Sequence, residues 1–253
     1  MSNSGEFSGK TALVTGGARG IGRACCRILA QHGARIVVNY RNSRVEAEAT
    51  VADCQAAGAD AIAVQADVAV AQQVEQLVKQ ARSHFRTIDL LVNNAGIFEM
   101  TPHDQMPFDH WQRTMDCNLT SAYLVTWAVK DEMVARGDGR IVNVSSIAGL
   151  RSRPTAIAYS VSKAGMIALT RSLSDAISGV GIRVNSVAPG LIDTDILDGV
   201  DQEVIDGLVN VTPMRRLGTP EDIAEVVRFL LSDQSRFMSG QTVVASGGRV
   251  LLP

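Results

Sequence analysis

Residues 11–22 read TALVTGGARGIG, an apolar stretch that runs directly into a glycine-rich turn, and RACCRILAQHG follows with the pattern of a helix. Such a turn lets the pyrophosphate of a dinucleotide approach the backbone amides and the positive end of the helix dipole. Gly16, Gly20 and Gly22 are the key positions, because a side chain there would obstruct that approach. The alternative is an ordinary strand-to-helix turn that needs glycine for steric reasons. The position of the motif in a first βαβ unit favours nucleotide binding.

Six further strand-like segments follow this motif, each separated from the next by enough residues for a helix. They read RIVVNY, AIAVQ, IDLLVN, RIVNVS, IRVNSVA and QTVVAS. Nearly continuous apolar strands that alternate with helices are typical of a parallel sheet covered on both faces. The sequence therefore predicts an α/β fold, a Rossmann-like, doubly wound parallel sheet of about seven strands with helices on both faces.

The alternation of strands and helices continues without a linker or an internal repeat, so we predict one domain over residues 1–253. The least regular stretch is 189–218, where PGLIDTDILDG precedes a short helical pattern and then VTPMRRLGTPED. This interruption is longer than a usual loop, and long loops at the carboxyl edge of a sheet often contact substrate. We predict a substrate loop region there.

The composition is that of a folded protein and does not indicate a strongly charged partner such as nucleic acid. The 253 residues are 46% hydrophobic and 20% charged, with a formal net charge of −2. This balance gives no reason to expect binding to nucleic acid or to an anionic membrane. The start, MSNSGEFSGK, has no apolar signal core, and no later run reaches the roughly 18 apolar residues of a membrane span. We therefore expect a cytoplasmic protein with no membrane segment.

The four cysteines are Cys25, Cys26, Cys54 and Cys117, and they show no CxxC spacing. We interpret them as small core residues rather than redox or metal groups. The histidines show no ligand spacing either, so the sequence predicts no metal site.

The end of the second predicted strand bears on the choice of cofactor. A carboxylate there would bind the ribose hydroxyls of NAD and repel the 2′-phosphate of NADP, but the residues are Asn39, Tyr40 and Arg41. Arg41 and Arg19 could both approach a phosphate, whose geometry suits a guanidinium. The alternative is that both are solvated surface charges. The sequence favours NADP(H).

A tyrosine, a lysine and a serine form a candidate catalytic group. Tyr159 and Lys163 lie four residues apart in IAYSVSKAGMIALTRSL, whose helical periodicity puts them on one face. A phenol titrates near pH 10, so a nearby cation must favour the phenolate for proton exchange at neutral pH, and Lys163 is the obvious one. Ser146 ends the strand RIVNVS at the carboxyl edge, where its hydroxyl can bind a substrate oxygen.

Together these segments resemble the short-chain dehydrogenase/reductase family over nearly the whole chain. The resemblance rests on TGGARGIG, NNAG at residues 93–96, Asn118, Ser146, YSVSK at 159–163 and the dipeptide Pro189 and Gly190. It implies that Tyr159 is the general acid/base, that Ser146 orients the carbonyl and that Lys163 lowers the phenol pKa and holds the nicotinamide ribose. It also implies that Asn118 anchors a proton-relay water.

The resemblance and the motifs together predict the residues that contact the cofactor. These are Gly16, Arg19, Gly20, Ile21, Gly22, Asn39, Arg41, Asp67, Val68, Asn94, Ala95, Gly96, Tyr159, Lys163, Pro189, Gly190, Ile192 and Thr194. Asp67 would contact the adenine and Thr194 the nicotinamide carboxamide. Hydride delivery to carbon and protonation of oxygen require only a cofactor and a positioned acid.

Within the family the chain is most similar to bacterial beta-ketoacyl-acyl-carrier-protein reductases, so the expected substrate is a 3-oxoacyl thioester and acyl carrier protein is a candidate partner. Several residues depart from that pattern. FEM follows NNAGI, and Asp175 and Val180 stand where basic residues are common, which weakens a docking patch for an acidic carrier. Ser246 stands where the family usually has aspartate. Arg151 and Arg153 could bind an anionic substrate or carrier, or could be simple surface arginines.

Two other functions remain open at this point. One is a reductase or dehydrogenase of a free ketone, alcohol, steroid or sugar. The other is a catalytically silent dinucleotide-binding scaffold, although such a protein has no need of the serine, tyrosine, lysine and asparagine set. The resemblance further implies a homotetramer, with the helices around residues 108–135 and 157–178 packed between subunits.

Overall fold

The computed structural model describes residues 5–194, 197 and 199–251. Within this part of the chain, seven strands form one parallel sheet in the order β3-β2-β1-β4-β5-β6-β7. The strands are β1 Thr11–Val14, β2 Arg35–Tyr40, β3 Ala61–Gln65, β4 Leu90–Asn93, β5 Gly139–Val144, β6 Ile182–Pro189 and β7 Thr242–Ala245. The predicted doubly wound α/β fold is confirmed.

The described residues contain eight α-helices. They are α1 Gly20–Gln31, α2 Arg44–Ala56, α3 Ala71–Phe85, α4 Phe108–Met115, α5 Ser121–Arg136, α6 Ile157–Ile177, α7 Gln202–Asn210 and α8 Pro220–Leu231. None of the helices in the described ranges is long and apolar enough to cross a membrane.

The core is divided between the two faces of the sheet. Ala12 and Val14 of β1 belong to one apolar cluster, together with residues of α1 and α8. Leu13 belongs to the other, with residues of α3 and α5. Successive side chains of a strand point to opposite faces, so this division explains why consecutive positions of the strands are mostly apolar.

The sheet order reverses beside β1, whose two neighbours are β2 and β4. Val14 is in register with Val38 of β2 on one side and with Val92 of β4 on the other. The chain leaves the sheet at the same level after all three strands. In doubly wound sheets this switch point opens the crevice in which ligands bind.

A π-helical turn, Asp116–Thr120, joins α4 to α5 and makes them one interrupted helix. Such turns are rare and frequently occur at functional sites. The side chain of Asn118 within it is fully buried.

The predicted substrate loop region, 189–218, contains the helix α7, and the region closes at a bridge between Ile192 and Gly218. Residues 195, 196 and 198 of this region lie outside the described residues. The single-domain organisation over 1–253 remains a prediction.

Candidate active site

The glycine turn after β1 has the conformation that its sequence predicts. Gly16 and Gly20 have φ values of +62° and +51°, in the left-handed region that favours glycine. A Cβ on Gly22 would lie 2.2 Å from the carbonyl oxygen of Gly16, so no other residue fits there without a shift of the backbone. The first turn of α1 contains no acidic residue that would neutralise the positive end of the helix dipole.

Side chains after β4 fix the position of this turn. The Thr15 hydroxyl accepts hydrogen bonds from the backbone N–H groups of Asn94 and Ala95 at 3.0 and 3.1 Å. Asn94 Nδ2 donates to the carbonyl oxygens of Thr15 and Gly16, also at 3.0 and 3.1 Å. The loops that leave β1 and β4 are therefore held together at the switch point.

A cavity of about 360 Å³ opens above these loops. It extends from the glycine turn across the ends of β2 and β3 on one side and past the end of β4 on the other. Twelve residues predicted to contact a cofactor line it: Gly16, Arg19, Gly20, Ile21, Asn39, Arg41, Asp67, Val68, Asn94, Ala95, Gly96 and Thr194. Its elongated shape and its glycine cradle at a helix N-terminus fit a dinucleotide.

Six predicted contacts lie outside the lining of this cavity. Gly22 packs beneath the glycine turn, and Pro189 is the last residue of β6. Gly190 and Ile192 line a second cavity of about 180 Å³ between the substrate loop region and the segment after β7. Tyr159 and Lys163, which were predicted to be both catalytic and cofactor-binding, lie beside the end of β4, as described below.

Sequence reasoning missed eight residues that line the main cavity: Ala18, Tyr40, Asn42, Ser43, Ala66, Ala69, Ile97 and Cys117. Most directly follow a strand or adjoin a predicted residue, so the rule that ligands bind beyond the carboxyl ends of strands could have found them. Cys117 gave no such signal, because it reaches the cavity through the π-helical turn. Cys25, Cys26 and Cys54 are buried, as predicted for core residues, whereas Cys117 is half-buried.

The end of the cavity beyond β2 is polar. Arg41, Asn42 and Ser43 line it, and α2 begins at the next residue. The guanidinium of Arg41 lies 3.8 Å from the carboxylate of Asp67, and both side chains are partly exposed. Asn39 is buried instead, and its Nδ2 donates to the carbonyl oxygen of Ala66 at 3.1 Å.

Ser146 follows β5, where its side chain begins a short 3₁₀ turn. Its Oγ accepts a hydrogen bond from the N–H of Ala148 at 3.1 Å. Gly149 closes this turn against α6, where a Cβ would lie 2.7 Å from the backbone carbonyl carbon of Lys163. This close approach brings the Ser146 hydroxyl close enough to the Tyr159 phenol to lower its pKa.

Tyr159 lies in the first turn of α6, with Phe98 packed edge-on against its ring at a centroid distance of 4.9 Å. Burial raises the pKa of Tyr159 above its usual value, while the nearby Ser146 hydroxyl and the positive charge of Arg153 lower it. The charge of Arg153, to which sequence reasoning gave no such role, therefore acts on the phenol as well. The role of Lys163 in lowering the phenol pKa remains a prediction.

Lys163 is 4% exposed, and its Nζ donates to the carbonyl oxygen of Val144 at 2.9 Å. The ammonium lies 5.7 Å from the centroid of the Tyr159 ring. Burial lowers the pKa of Lys163 to about 8. The side chain is therefore close to the phenol but is anchored to the end of β5.

Gly96 connects the cavity to these groups. A Cβ at Gly96 would lie 2.9 Å from Asn118 Oδ1 and 3.5 Å from Lys163 Nζ. Asn118 Nδ2 donates to Ser162 Oγ at 3.1 Å, and Ser162 Oγ donates to the Tyr159 carbonyl oxygen at 2.7 Å. All four residues predicted to be catalytic therefore belong to one connected group beside the cavity.

The fold has a cavity at its switch point that fits a dinucleotide, with a half-buried tyrosine, a buried lysine and a buried serine beside it. This combination defines a nicotinamide-dinucleotide-dependent oxidoreductase. The comparisons with known proteins agree. The family model described as "Enoyl-(Acyl carrier protein) reductase" matches residues 16–249. The chain belongs to the short-chain dehydrogenase/reductase family.

Two relatives and one solved structure illustrate this membership. A 3-oxoacyl-[acyl-carrier-protein] reductase of Synechocystis sp. is 42% identical over 246 residues, which are 97% of this chain and 98% of the relative. One from Staphylococcus aureus is 38% identical over 239 residues, which are 94% of this chain and 97% of the relative. The crystal structure of a putative gluconate dehydrogenase from Agrobacterium tumefaciens superposes with a TM-score of 0.92 at 34% identity, covering 97% of this chain and 98% of that one.

Proposed function

We propose that the chain uses NADP(H) to reduce a ketone to a secondary alcohol, and that the ketone is a 3-oxoacyl thioester. The observation that carries this proposal is that Ser146 and Tyr159 lie close together at the carboxyl edge of the sheet, beside a cavity that fits a dinucleotide. Two hydroxyl groups that converge there can hold one carbonyl oxygen.

In the proposed mechanism each residue of the group has a separate task. Ser146 donates a hydrogen bond that orients the carbonyl oxygen, and Tyr159 gives its phenolic proton to that oxygen as general acid. Burial keeps Tyr159 protonated at neutral pH, as a proton donor must be. When bound, the nicotinamide supplies the hydride that the carbonyl carbon accepts. Lys163 and Asn118 position the groups around the Tyr159 phenol. They also provide a route by which the phenol regains the proton that it gives to the substrate.

The same glycine turn and α1 N-terminus would hold the pyrophosphate, and the predicted contacts that line the cavity would hold the rest of the dinucleotide. The preference for NADP over NAD is supported by the end of β2, where Arg41 and Ser43 line the cavity and no carboxylate follows the strand. A guanidinium and a hydroxyl suit a 2′-phosphate. Asp67 pairs with Arg41 and would hold its guanidinium in place.

The thioester is the proposed substrate because both curated relatives described above carry that activity in their names. Acyl carrier protein is therefore a proposed partner. A second candidate is a dehydrogenase of a polyhydroxy acid, which is favoured by the similarity to the putative gluconate dehydrogenase. The homotetramer and the cytoplasmic location also remain predictions.

The test is turnover with matched substrates. We expect oxidation of NADPH with the acetoacetyl thioester of N-acetylcysteamine, and a much higher KM for NADH. Activity confined to free ketones would rule out a thioester as the substrate. Oxidation of gluconate alone would favour the second candidate. Arg41→Ala should raise the KM for NADPH and leave that for NADH nearly unchanged, whereas Arg86→Ala, at an exposed position before β4, should change neither.

A further inference from the structure

Three arginines lie at the carboxyl edge of the sheet, close to the proposed catalytic tyrosine. Arg151 and Arg153 belong to the segment between β5 and α6, and Arg249 belongs to the segment after β7. The Arg151 N–H donates to the carbonyl oxygen of Ile147 at 3.2 Å, and the Arg249 N–H donates to that of Ser246 at 3.2 Å. Because β5 and β7 are parallel, both segments leave the sheet at the same edge. We call these three residues the arginine cluster.

The arginine cluster adjoins Tyr159 through one aromatic ring. The Arg153 guanidinium lies 5.7 Å from the centroid of Phe98, and Phe98 packs against Tyr159 at 4.9 Å. The charge of Arg153 also acts on the phenol, since it lowers the pKa of Tyr159 after burial has raised it. A group bound by the cluster would therefore lie within one small molecule's length of the reacting oxygen.

No carboxylate neutralises the arginine cluster among the described residues, where none of its members forms an ion pair. Arg249 Nε is buried and has no hydrogen-bond partner within that part of the chain. Burial lowers the pKa of Arg249, and so do the positive charges of Arg151 and Arg153. The positive charges of Arg151 and Arg153 therefore act unfavourably on the charged form of Arg249.

The acidic and polar residues of the same loops do not offset this charge. Glu99, next to Phe98, pairs instead with Arg113 at 2.6 Å and with His110 at 3.0 Å. Ser246 is neutral, and its Oγ accepts a hydrogen bond from the N–H of Val250 at 3.1 Å. Like charges that gather without a counter-ion destabilise the folded state, and a bound anion relieves that repulsion.

We propose that the arginine cluster binds an oxyanion, a carboxylate or a phosphate, that the substrate carries beside its reacting ketone. Guanidinium groups suit both anions because paired N–H donors match two oxygens. The inference rests on the proposed function only in placing the reacting carbonyl at Tyr159. The inference adds that the natural substrate is anionic, which excludes a neutral ketone or a neutral sugar.

Two pairs of ketones test the charge directly, because each pair keeps the reacting group and changes only the anion. Acetoacetate and methyl acetoacetate test a carboxylate, and acetoacetyl-4′-phosphopantetheine and acetoacetyl-pantetheine test a phosphate. In at least one pair we expect kcat/KM with NADPH to be about 10-fold or more higher for the anionic member. The double variant Arg151→Gln/Arg249→Gln should abolish most of that advantage, chiefly through KM.

Arg236→Gln is the matched control, because Arg236 is exposed and precedes β7 at the opposite edge of the sheet. It should leave the anionic-to-neutral ratio unchanged. Equal kcat/KM values within both pairs, or an advantage that survives in the double variant, would overturn the inference. If neither thioester is reduced but acetoacetate is preferred to its ester, the proposed thioester substrate fails and the anion site stands. If no ketone is reduced, calorimetry with acetoacetate and the NADP-loaded enzyme decides, and absence of binding overturns the inference.

Discussion

The side chain of Asn118 forms two hydrogen bonds with the backbone of Ile97. Its Oδ1 accepts from the Ile97 N–H at 2.7 Å, and its Nδ2 donates to the Ile97 carbonyl oxygen at 2.9 Å. Ile97 lines the main cavity, and Asn118 lies in the π-helical turn between α4 and α5. The asparagine therefore acts as a positioning residue for the loop after β4 as well as a member of the proposed catalytic group.

Asn118→Asp should weaken this connection without a change in side-chain size. The carboxylate keeps the acceptor for the Ile97 N–H but cannot donate to the Ile97 carbonyl oxygen or to Ser162 Oγ. Buried polar groups left without partners cost about 1–3 kcal/mol each, so we expect a lower free energy of unfolding in urea and a weaker affinity for NADPH. Gln80→Glu, the same exchange at an exposed position of α3, is the control and should change neither quantity. Wild-type values for both quantities in Asn118→Asp would contradict the positioning role.

Tyr159→Phe should abolish turnover and preserve the site. The phenyl ring keeps the edge-on contact with Phe98, and only the proton donor is lost. Loss of a general acid lowers kcat by about 10²–10⁴-fold, whereas the dissociation constant of NADPH, measured by its fluorescence, should not change. Tyr123→Phe, at a partly exposed tyrosine on α5, should retain full activity. Near-normal turnover by the Tyr159 variant would rule out the mechanism.

Lys163 makes the stability of the chain depend on pH in a defined range. Burial lowers its pKa from 10.5 to about 8, so the unfolded chain holds this proton more tightly than the folded chain. The free energy of unfolding should therefore rise with pH between those two values, by at most about 3 kcal/mol from this group. Lys163→Met removes the effect, and denaturant titrations of both proteins from neutral to alkaline pH measure the difference. A difference that stays constant with pH would show that the lysine is not desolvated in the folded chain.

Two glycine substitutions should have opposite effects on stability. Gly22→Ala forces a methyl group against the Gly16 carbonyl oxygen, which lies 2.2 Å from the Cβ position. This variant should lower the free energy of unfolding by about 2 kcal/mol or more and should also lose NADPH binding. Gly207 lies within α7, where a Cβ meets no atom within 4 Å among the described residues. Gly207→Ala should stabilise the chain by about 0.5–1 kcal/mol. Equal urea midpoints for the two variants would refute the steric interpretation of the turn.

The sheet was predictable because most strands appear in the sequence as apolar runs. The run that begins at Thr11 leads into a glycine-rich turn that is typical of a phosphate cradle. The positions of Ser146 and Tyr159 followed from the strand and helix that carry them. What the sequence could not reveal depends on packing between distant segments. The π-helical turn that buries Asn118, and the packing that brings the charge of Arg153 to the Tyr159 phenol, have no local pattern.

The position of β1 between β2 and β4 also bears on how the chain is made. On the ribosome, β1, β2 and β3 emerge first, and one edge of β1 stays unpaired until β4 follows. An unpaired edge is open to aggregation and to chaperones during this interval. The cavity needs Gly96 as well as Gly16, and Thr194 emerges later still. A nascent chain therefore cannot use cofactor to guide its early folding, and starvation for the dinucleotide should affect the finished protein rather than its synthesis.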